Sequence, residues 1–271
     1  MSMPGQYADA WESFWRDAPK EAGTVFWDAA PERTAGRHLP LFGPHFGGRP
    51  VVDLGCGNGT QTRFLARRYP RVVGVDLSEA AIGRARETVA APPGPAAAAP
   101  GAATPAVTGP GPEVPDRPEQ ANHAPDFRAL DAADPGAVRA LREELGECDV
   151  YLRGVLHQCP PHDRPRIAAS VATLVGERGR AFVVEPAEAG GATLASLMGR
   201  PGGPPPSLAA VFAHGIRPME MPDASVPEFF REAGLEVLDD GTAPLALTVA
   251  GEDGTPLDLP STWLVAGRAD G

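Results

Sequence analysis

Three glycines and two carboxylates in the first third of the chain have types and spacing that suit ligand binding. The glycines alternate within the segment VVDLGCGNGT: Gly55, Gly57 and Gly59. Glycines at this spacing let the backbone turn sharply and approach a bound molecule closely. Asp53 precedes the first glycine by two residues, and Asp76 follows the last by 17. A carboxylate at the end of the second strand, where Asp76 is expected, can accept hydrogen bonds from both hydroxyls of a ribose.

Three kinds of nucleotide site compete for this glycine-rich turn. A dinucleotide site favours G-x-G-x-x-G, whereas the spacing here is G-x-G-x-G, and Asp53 would place a negative charge beside a phosphate. A phosphate-binding loop needs Gly-Lys-Ser/Thr, and the turn contains no lysine. A nucleoside with a cationic amino-acid arm suits the two carboxylates. The residues therefore favour this third site over one for NAD or FAD.

The turn must be positioned by strands and helices, and the sequence predicts that these alternate. Apolar runs predict strands at 50–55, 71–78, 127–130, 149–156, 180–186 and 235–240, with strand-like runs at 244–249 and 263–267. Helices are predicted at 8–17, 60–68, 79–88, 135–145, 163–175, 207–213 and 226–233, and in a segment ending near His38. Ser78 and Asp134 are expected to cap two of these helices. Such alternation predicts a mostly parallel sheet, with ligands beyond the carboxyl ends of its strands.

Five segments resemble, in the same order, the class I S-adenosylmethionine-dependent methyltransferases. DLGCGNGT and VVGVDLS are similar to the family's first two motifs, and FRALDAADP is similar to its third-strand segment. DVYLRGVLHQCPPHDR resembles the fourth-strand motif, and PEFFREAGLEVLDDGT resembles the last helix followed by the sixth strand. The resemblance implies an α/β, Rossmann-like fold. Its seven-stranded sheet would have one antiparallel strand and helices on both faces.

The resemblance also implies which residues bind S-adenosylmethionine. The turn would line its methionyl and ribose parts, through Gly55, Cys56, Gly57, Asn58 and Gly59. Asp53 would lie near the ammonium group, and Asp76 would hold the ribose hydroxyls.

Three positions farther along the chain would complete this cofactor site. Leu77 would pack on the adenine, while Asp131 and Ala132 would reach its amine. Arg153, at the end of the fourth strand, would add backbone and side-chain contacts.

Methyl transfer from a sulfonium mainly requires alignment of the reactants and exclusion of water. A base is needed only if the acceptor loses a proton, and a histidine suits that role because it titrates near neutral pH. The candidates are His157 after the fourth strand, Glu185 at the expected mouth of the site, and His214 in the segment that follows. Arg217 is a further acceptor-site candidate. Each could instead be an ordinary packed, paired or surface residue, and no metal site is expected.

The chain is expected to form a methyltransferase domain at 46–271, preceded by a helical lid at 1–45. Phe26 and Trp27 are expected to cover the cofactor and acceptor, since an aromatic face attracts a sulfonium. Residues 91–125 are rich in Pro, Ala and Gly, which predicts a disordered insertion. Residues 187–222 interrupt the sheet pattern and are expected to form a substrate cap.

Composition narrows the classes of partner. The net charge of -11 argues against nucleic acid and anionic membrane surfaces, which would need clustered cations. Three cysteines without ligand spacing argue against a disulfide framework or a zinc site. Neither a signal peptide nor an apolar run long enough to span a membrane is recognisable, so we expect a cytoplasmic location.

These observations predict methyl transfer from S-adenosylmethionine to a small organic acceptor, at oxygen, nitrogen or carbon. The sequence resembles bacterial enzymes of secondary metabolism, and a homodimer is compatible with it. One alternative is an S-adenosylmethionine-binding protein with another activity or none. A less favoured alternative is an NAD-dependent oxidoreductase.

Overall fold

A seven-stranded sheet forms the centre of the computed structural model, which describes residues 6–90, 123–251 and 253–269. In chain order, the strands are β1 (Val51–Leu54), β2 (Val72–Asp76), β3 (Asp126–Ala129), β4 (Asp149–Arg153), β5 (Arg180–Pro186), β6 (Glu236–Thr242), β7 (Leu245–Ala250), β8 (Pro256–Leu259) and β9 (Ser261–Gly267). The large sheet has the order β3-β2-β1-β4-β5-β9-β6, while β7 and β8 pair as a separate hairpin.

The strand directions confirm the predicted fold class. Strands β1 to β5 pair in parallel, and β9 runs antiparallel to both β5 and β6. Six strands of the large sheet therefore share one direction. The chain leaves β1 toward β2 on one side and returns through β4 on the other. In open sheets of this kind, ligands bind beyond the carboxyl ends of the strands at such a switch point.

The helices lie between the strands along the chain, as predicted. They are α1 (Gln6–Asp17), α2 (Ala35–Phe42), α3 (Thr60–Ala66), α4 (Glu79–Ala90), α5 (Pro135–Leu145), α6 (Arg164–Val175), α7 (Gly190–Met198), α8 (Pro206–Ala213) and α9 (Ser225–Glu232). Both predicted caps are present. Ser78 Oγ accepts a hydrogen bond from the Ala81 amide (3.1 Å), and the Asp134 carboxylate accepts one from the Gly136 amide (2.8 Å).

Both faces of the sheet are buried, which explains the continuous apolar runs in its strands. Alternate residues serve opposite sides, so Tyr151 and Phe182 join one core cluster while Leu152 and Val183 join the other. The first cluster is aromatic at its centre, where the ring centroids of Tyr151 and Phe182 are 5.6 Å apart and Phe42 of α2 packs on both.

Three local features differ from the sequence-based expectation. Helix α2 extends past His38 to Phe42, the hairpin adds β8, and the cap segment contains α7 as well as the predicted α8. Helix α7 begins with two glycines, a pattern more typical of a loop. Gly190 packs closely there, because a Cβ atom would lie 3.1 Å from both Leu259 Cδ1 and the Pro260 carbonyl oxygen.

Helix α1 is attached to α4 by polar contacts. The Glu12 carboxylate accepts hydrogen bonds from Ser78 Oγ (2.7 Å) and from the Ala80 amide (3.0 Å) at the start of α4. From the middle of α4, Arg84 donates to the carbonyl oxygens of Arg16 (3.1 Å) and Pro19 (2.9 Å). These contacts fix the N-terminal segment beside the carboxyl ends of the strands.

Residues 91–122 lie outside the described residues, and they include most of the predicted insertion at 91–125. Within the described ranges, no helix is both long enough and apolar enough to cross a membrane.

Candidate functional site

A cavity of about 510 Å³ lies at the carboxyl ends of the central strands. Leu54, Val75, Arg153 and Pro186 bring the ends of β1, β2, β4 and β5 into its wall. Helix α1 covers one side with Tyr7, Ala8, Trp11 and Trp15. The volume is within the range of small-molecule sites in proteins.

The glycine-rich turn between β1 and α3 forms part of the cavity wall. Gly55 and Gly57 line the cavity with φ of 77° and 55°, in the left-handed region that favours glycine. A Cβ atom at Gly57 would lie 2.8 Å from Trp15 Cζ2, so the turn also leaves room for α1. Gly59, predicted to contact the cofactor, lies outside the lining. Its missing side chain makes room for the Phe127 ring, which a Cβ atom would approach to 2.6 Å.

Asp76 lines the cavity at the end of β2 and is held by the backbone around it. Its Oδ2 accepts a hydrogen bond from the Gly57 amide (2.8 Å), and its Oδ1 accepts one from the Ser78 amide (3.0 Å). Burial raises the pKa of this carboxyl, and the amide donors act in the opposite direction. The carboxylate is thereby oriented beside the glycine turn, with acceptor lone pairs left for a ligand.

Asp53 occupies a different environment from the one expected near the ammonium group of the cofactor. It is buried within β1, outside the cavity lining, and accepts a hydrogen bond from Thr62 Oγ1 (2.6 Å). Burial raises the pKa of Asp53 to about 6. Its direct hydrogen-bond partner is therefore Thr62 of α3.

The remaining predicted cofactor residues line the cavity: Trp27, Cys56, Asn58, Leu77, Asp131, Ala132 and Arg153. Asn58 donates to the Asp28 carboxylate (2.6 Å), which ties the turn to the segment after α1. The Arg153 guanidinium donates to the Trp27 carbonyl oxygen (3.3 Å) and so ties that segment to β4 as well.

His157 and Glu185 form a pair, with only the histidine in the cavity wall. His157 Nδ1 lies 2.7 Å from Glu185 Oε2. Glu185 was expected at the mouth of the site, but it is fully buried and surrounded by donors. Its oxygens also accept from the amides of Val155 (2.8 Å), Leu156 (2.9 Å) and His157 (3.2 Å). It therefore positions the turn after β4 instead of contacting an acceptor.

The contacts of His157 favour one tautomer. A carboxylate at Nδ1 favours an N–H at that atom, which leaves Nε2 with a lone pair. Gln158 Nε2 lies 2.8 Å from His157 Nε2 and can donate to it. Gln158 also lines the cavity, and its buried Oε1 finds no hydrogen-bond partner among the described residues. The Nε2 lone pair of His157 thus lies beside the Gln158 side chain in the cavity wall.

His214 was expected to face the acceptor, but it lies outside the cavity lining. Its ring packs edge-on against Phe14 (5.7 Å between centroids), and its Nε2 is 3.3 Å from Asp17 Oδ2. Arg217 is exposed, with its guanidinium 4.9 Å from the centre of the Phe212 ring. Because α8 turns its apolar side inward, Leu208, Val211 and Phe212 contact the cavity in their place.

Two residues that the sequence did not single out also line the cavity. The Tyr7 hydroxyl lies 3.5 Å from Cys159 Sγ, and burial raises the pKa of this hydroxyl. Asp28 is 5% exposed and bonded to Asn58. Its position directly after the aromatic pair Phe26 and Trp27 was the available signal, since the whole pair was expected to cover the site.

The residues in this cavity fit S-adenosylmethionine better than a dinucleotide. The carboxylates of Asp28 and Asp76 in the wall suit ribose hydroxyls and a cationic arm. The same charges would repel a pyrophosphate, and the one lysine of the chain, Lys20, pairs with Glu87 on the surface. The rings of Trp15 and Trp27 offer faces that attract a sulfonium.

Comparison with known proteins agrees with this geometry. Residues 51–104 match the model of a methyltransferase domain. A SAM-dependent methyltransferase of known structure from Anabaena variabilis is 28% identical, covers 97% of this chain and 95% of its own, and superposes with a TM-score of 0.78. A second, from Methanosarcina mazei, is 14% identical, covers 84% of this chain and 97% of its own with a TM-score of 0.55, and supports the fold alone.

Curated relatives match over short segments. Trans-aconitate 2-methyltransferase of Variovorax paradoxus is 59% identical over 39 residues, which are 14% of this chain and 15% of that protein. The Rhodopseudomonas palustris protein of the same name is 44% identical over 59 residues, 21% and 22% of the two chains. The chain thus spans less than a quarter of the length of these relatives. Matches this short do not show that the chain acts on the same acceptor.

By the matched domain, the sheet order and the Anabaena structure, this chain is similar to S-adenosylmethionine-dependent methyltransferases and has the fold of the class I enzymes.

Proposed function

We propose that this protein transfers a methyl group from S-adenosylmethionine to a small organic acceptor. The observation that carries the proposal is one cavity that contains both the glycine turn with Asp76 and, from the end of β4, His157. A cofactor site and a base are thereby placed in a common, partly enclosed space.

The cofactor half of the cavity is assigned by its residues. Asp76 holds the ribose hydroxyls, Leu77 packs against the adenine, and Asp131 receives the adenine amine. The backbone at Gly55 and Gly57 lies along the methionyl arm. When bound, S-adenosylmethionine supplies a methyl group activated on a sulfonium, which a nucleophile attacks as the sulfur–carbon bond breaks.

His157 serves as the base for an acceptor that must lose a proton. Its Nε2 lone pair faces Gln158, and an acceptor hydroxyl can replace the Gln158 amide at that atom. Glu185 holds the ring through Nδ1 and stabilises the imidazolium that forms when Nε2 takes the proton. The transferred proton then leaves to water, because the His157 side chain is 13% exposed.

The proposal includes a role in natural-product biosynthesis within a reducing, cytoplasmic setting. Helices α7 and α8 contribute to the cavity wall, which suits a small-molecule acceptor. The buried, free thiols of Cys56, Cys148 and Cys159 support a reducing environment. Genes adjacent to the one for this chain are expected to encode enzymes that make the acceptor.

Transfer of a labelled methyl group tests the proposed activity. The chain is incubated with methyl-labelled S-adenosylmethionine and a panel of small acceptors, and label in the extracted product is counted. We expect His157→Asn to lower kcat by about 10² to 10⁴-fold, because positioned proton transfer contributes about that factor. The exposed His123→Asn, outside the cavity lining, is the matched control. Equal loss in both variants, or full activity in His157→Asn, would contradict the assignment of the base.

A further inference from the structure

The side of the cavity that faces away from the cofactor turn is formed by the last third of the chain. It is built from β5 onward by helices α7 and α8 and by the β7–β8 hairpin. The contributing residues are Pro186, Leu194, Leu208, Val211, Phe212, Pro218, Leu245, Ala246, Leu247 and Leu259. Every side chain that the described residues from 186 to 259 add to the lining is therefore apolar.

No charged side chain of the described residues from 186 to 259 lines the cavity, and two of them are bonded outside it. Asp258 of β8 pairs with Arg33 (3.2 Å) and Arg37 (2.7 Å), which lie on the outer side toward α2. Arg200 donates to the Ala250 carbonyl oxygen (2.8 Å). The hairpin is also fixed to the N-terminal segment, where the Thr248 amide donates to the Phe26 carbonyl oxygen (3.0 Å). The apolar wall is thus a fixed surface of the folded chain.

Polar side chains that the rest of the chain adds to the lining include Tyr7, Arg153, His157 and Gln158, and each has a partner. Tyr7 contacts Cys159 Sγ (3.5 Å), Arg153 is bonded to the Trp27 carbonyl oxygen (3.3 Å), and Gln158 Nε2 can donate to His157 Nε2 (2.8 Å). Arg166 and His162 lie at the exposed rim, and both face Asp163 (3.0 and 3.6 Å). A molecule with several carboxylates would leave water and meet mostly leucine and valine, which costs several kcal/mol for each unpaired charge.

From this arrangement we infer that the methyl acceptor is an uncharged, predominantly apolar molecule with one polar nucleophilic group. Its apolar body packs against α7, α8 and the β7–β8 hairpin, and its nucleophile lies at His157 and Gln158. The inference rests on the proposed function and extends it to a substrate class. It separates this chain from the trans-aconitate methyltransferases, whose named acceptor carries carboxylates.

Equilibrium dialysis of the full chain, saturated with S-adenosylhomocysteine to prevent turnover, tests this inference. The probes are 2-naphthol, 2-naphthoate and trans-aconitate. We expect 2-naphthol to bind saturably, 2-naphthoate to bind at least about tenfold more weakly, and trans-aconitate to bind more weakly than both. Preference for trans-aconitate, equal affinity for the two naphthalene probes, or no binding by 2-naphthol would each overturn the inference.

Two variants on the same helix test where the probe binds. Leu194 lines the cavity, whereas Met198, one turn later on α7, is 40% exposed and lies outside the lining. Leu194→Asp is expected to weaken 2-naphthol binding by at least about tenfold, and Met198→Asp to leave it within about twofold. Equal effects of the two variants would overturn the placement.

The affinity for S-adenosylhomocysteine, measured in the same samples, distinguishes a wrong acceptor class from a wrong proposed function. Retained cofactor binding with the wrong probe preference refutes only the acceptor class. Loss of cofactor binding in the unmodified chain refutes the proposed function itself.

Discussion

At the scale of single residues, burial decides which of the expected groups can touch a ligand. His157 follows β4 and Glu185 lies near the end of the adjacent β5, and both were candidates for a base. The structure leaves the histidine in the cavity wall and surrounds the glutamate with three amides and the imidazole. Glu185 is therefore a positioning residue, and removal of its charge should alter catalysis through His157.

Glu185→Gln tests this positioning role. One end of the glutamine side chain presents N–H groups to the backbone amides, which are themselves donors, so part of the hydrogen bonding that holds the turn and the His157 ring is lost. We expect kcat to fall by about tenfold or more, because proton transfer requires a positioned base. The affinity for S-adenosylmethionine should stay within about threefold.

The exposed Glu188→Gln is the control for Glu185→Gln, and Glu185→Asp should recover part of the rate. Full activity in Glu185→Gln, or an equal fall of kcat in Glu188→Gln, would contradict the positioning role.

At the scale of elements, the contact between α1 and α4 determines whether the cavity has its aromatic side. Glu12 provides a negative charge where α4 begins, and a carboxylate is stabilised at a helix N-terminus. The pKa of Glu12 is lowered chiefly by the Ala80 amide and then by the Ser78 hydroxyl. We propose that this contact keeps the N-terminal lid in place over the cofactor.

Glu12→Gln should loosen α1 without unfolding the sheet. Hydrogen exchange at pH 7 is expected to rise in residues 6–17 and to stay unchanged in β1 and β4. Because the pKa of Glu12 is depressed in the folded chain, the stabilisation exists above the unfolded pKa and disappears as pH falls through the folded value. The exposed Glu21→Gln is the control, and equal exchange in α1 of both variants would contradict the role of this contact.

At the scale of the whole molecule, His38 joins three parts of the chain inside the core. Its Nε2 donates to the Pro244 carbonyl oxygen (3.3 Å) before β7, and its Nδ1 accepts from the Tyr151 hydroxyl (3.1 Å) of β4. Burial lowers the pKa of His38 to about 4. The folded chain thus binds fewer protons than the unfolded chain between about pH 4 and 6.5, so stability falls as pH drops through this range.

His38→Gln should remove this part of the acid sensitivity, because glutamine can keep both hydrogen bonds without titrating. For the unmodified chain, the linkage lowers the free energy of unfolding by about 2 kcal/mol between pH 8 and pH 5. Asp53 acts in the opposite direction, since its raised pKa favours the folded state at low pH. The comparison is therefore between His38→Gln and the exposed His162→Gln, by urea denaturation at both pH values. Equal losses in both would contradict the assignment.

The sequence predicted the fold better than the site, for physical reasons. Apolar runs and the caps at Ser78 and Asp134 are local signals, so the positions of strands and helices along the chain were predicted closely. By contrast, the direction in which a loop side chain points depends on contacts with residues that are distant in the sequence. His214 turned toward Asp17, and Gly59 made room for Phe127. The β7–β8 hairpin has short strands and binds the N-terminal segment, which no local pattern indicates.

Calorimetric titration of the full chain with S-adenosylmethionine measures whether the cavity binds this cofactor. We predict saturable binding of one molecule per chain, weakened at least about tenfold by Asp76→Ala, because hydrogen bonds to a charged group contribute about 1.5–3 kcal/mol. The exposed Glu232→Ala, which changes the net charge equally, should leave the affinity within about twofold. Absence of binding by the unmodified chain, or unchanged affinity in Asp76→Ala, would contradict the account.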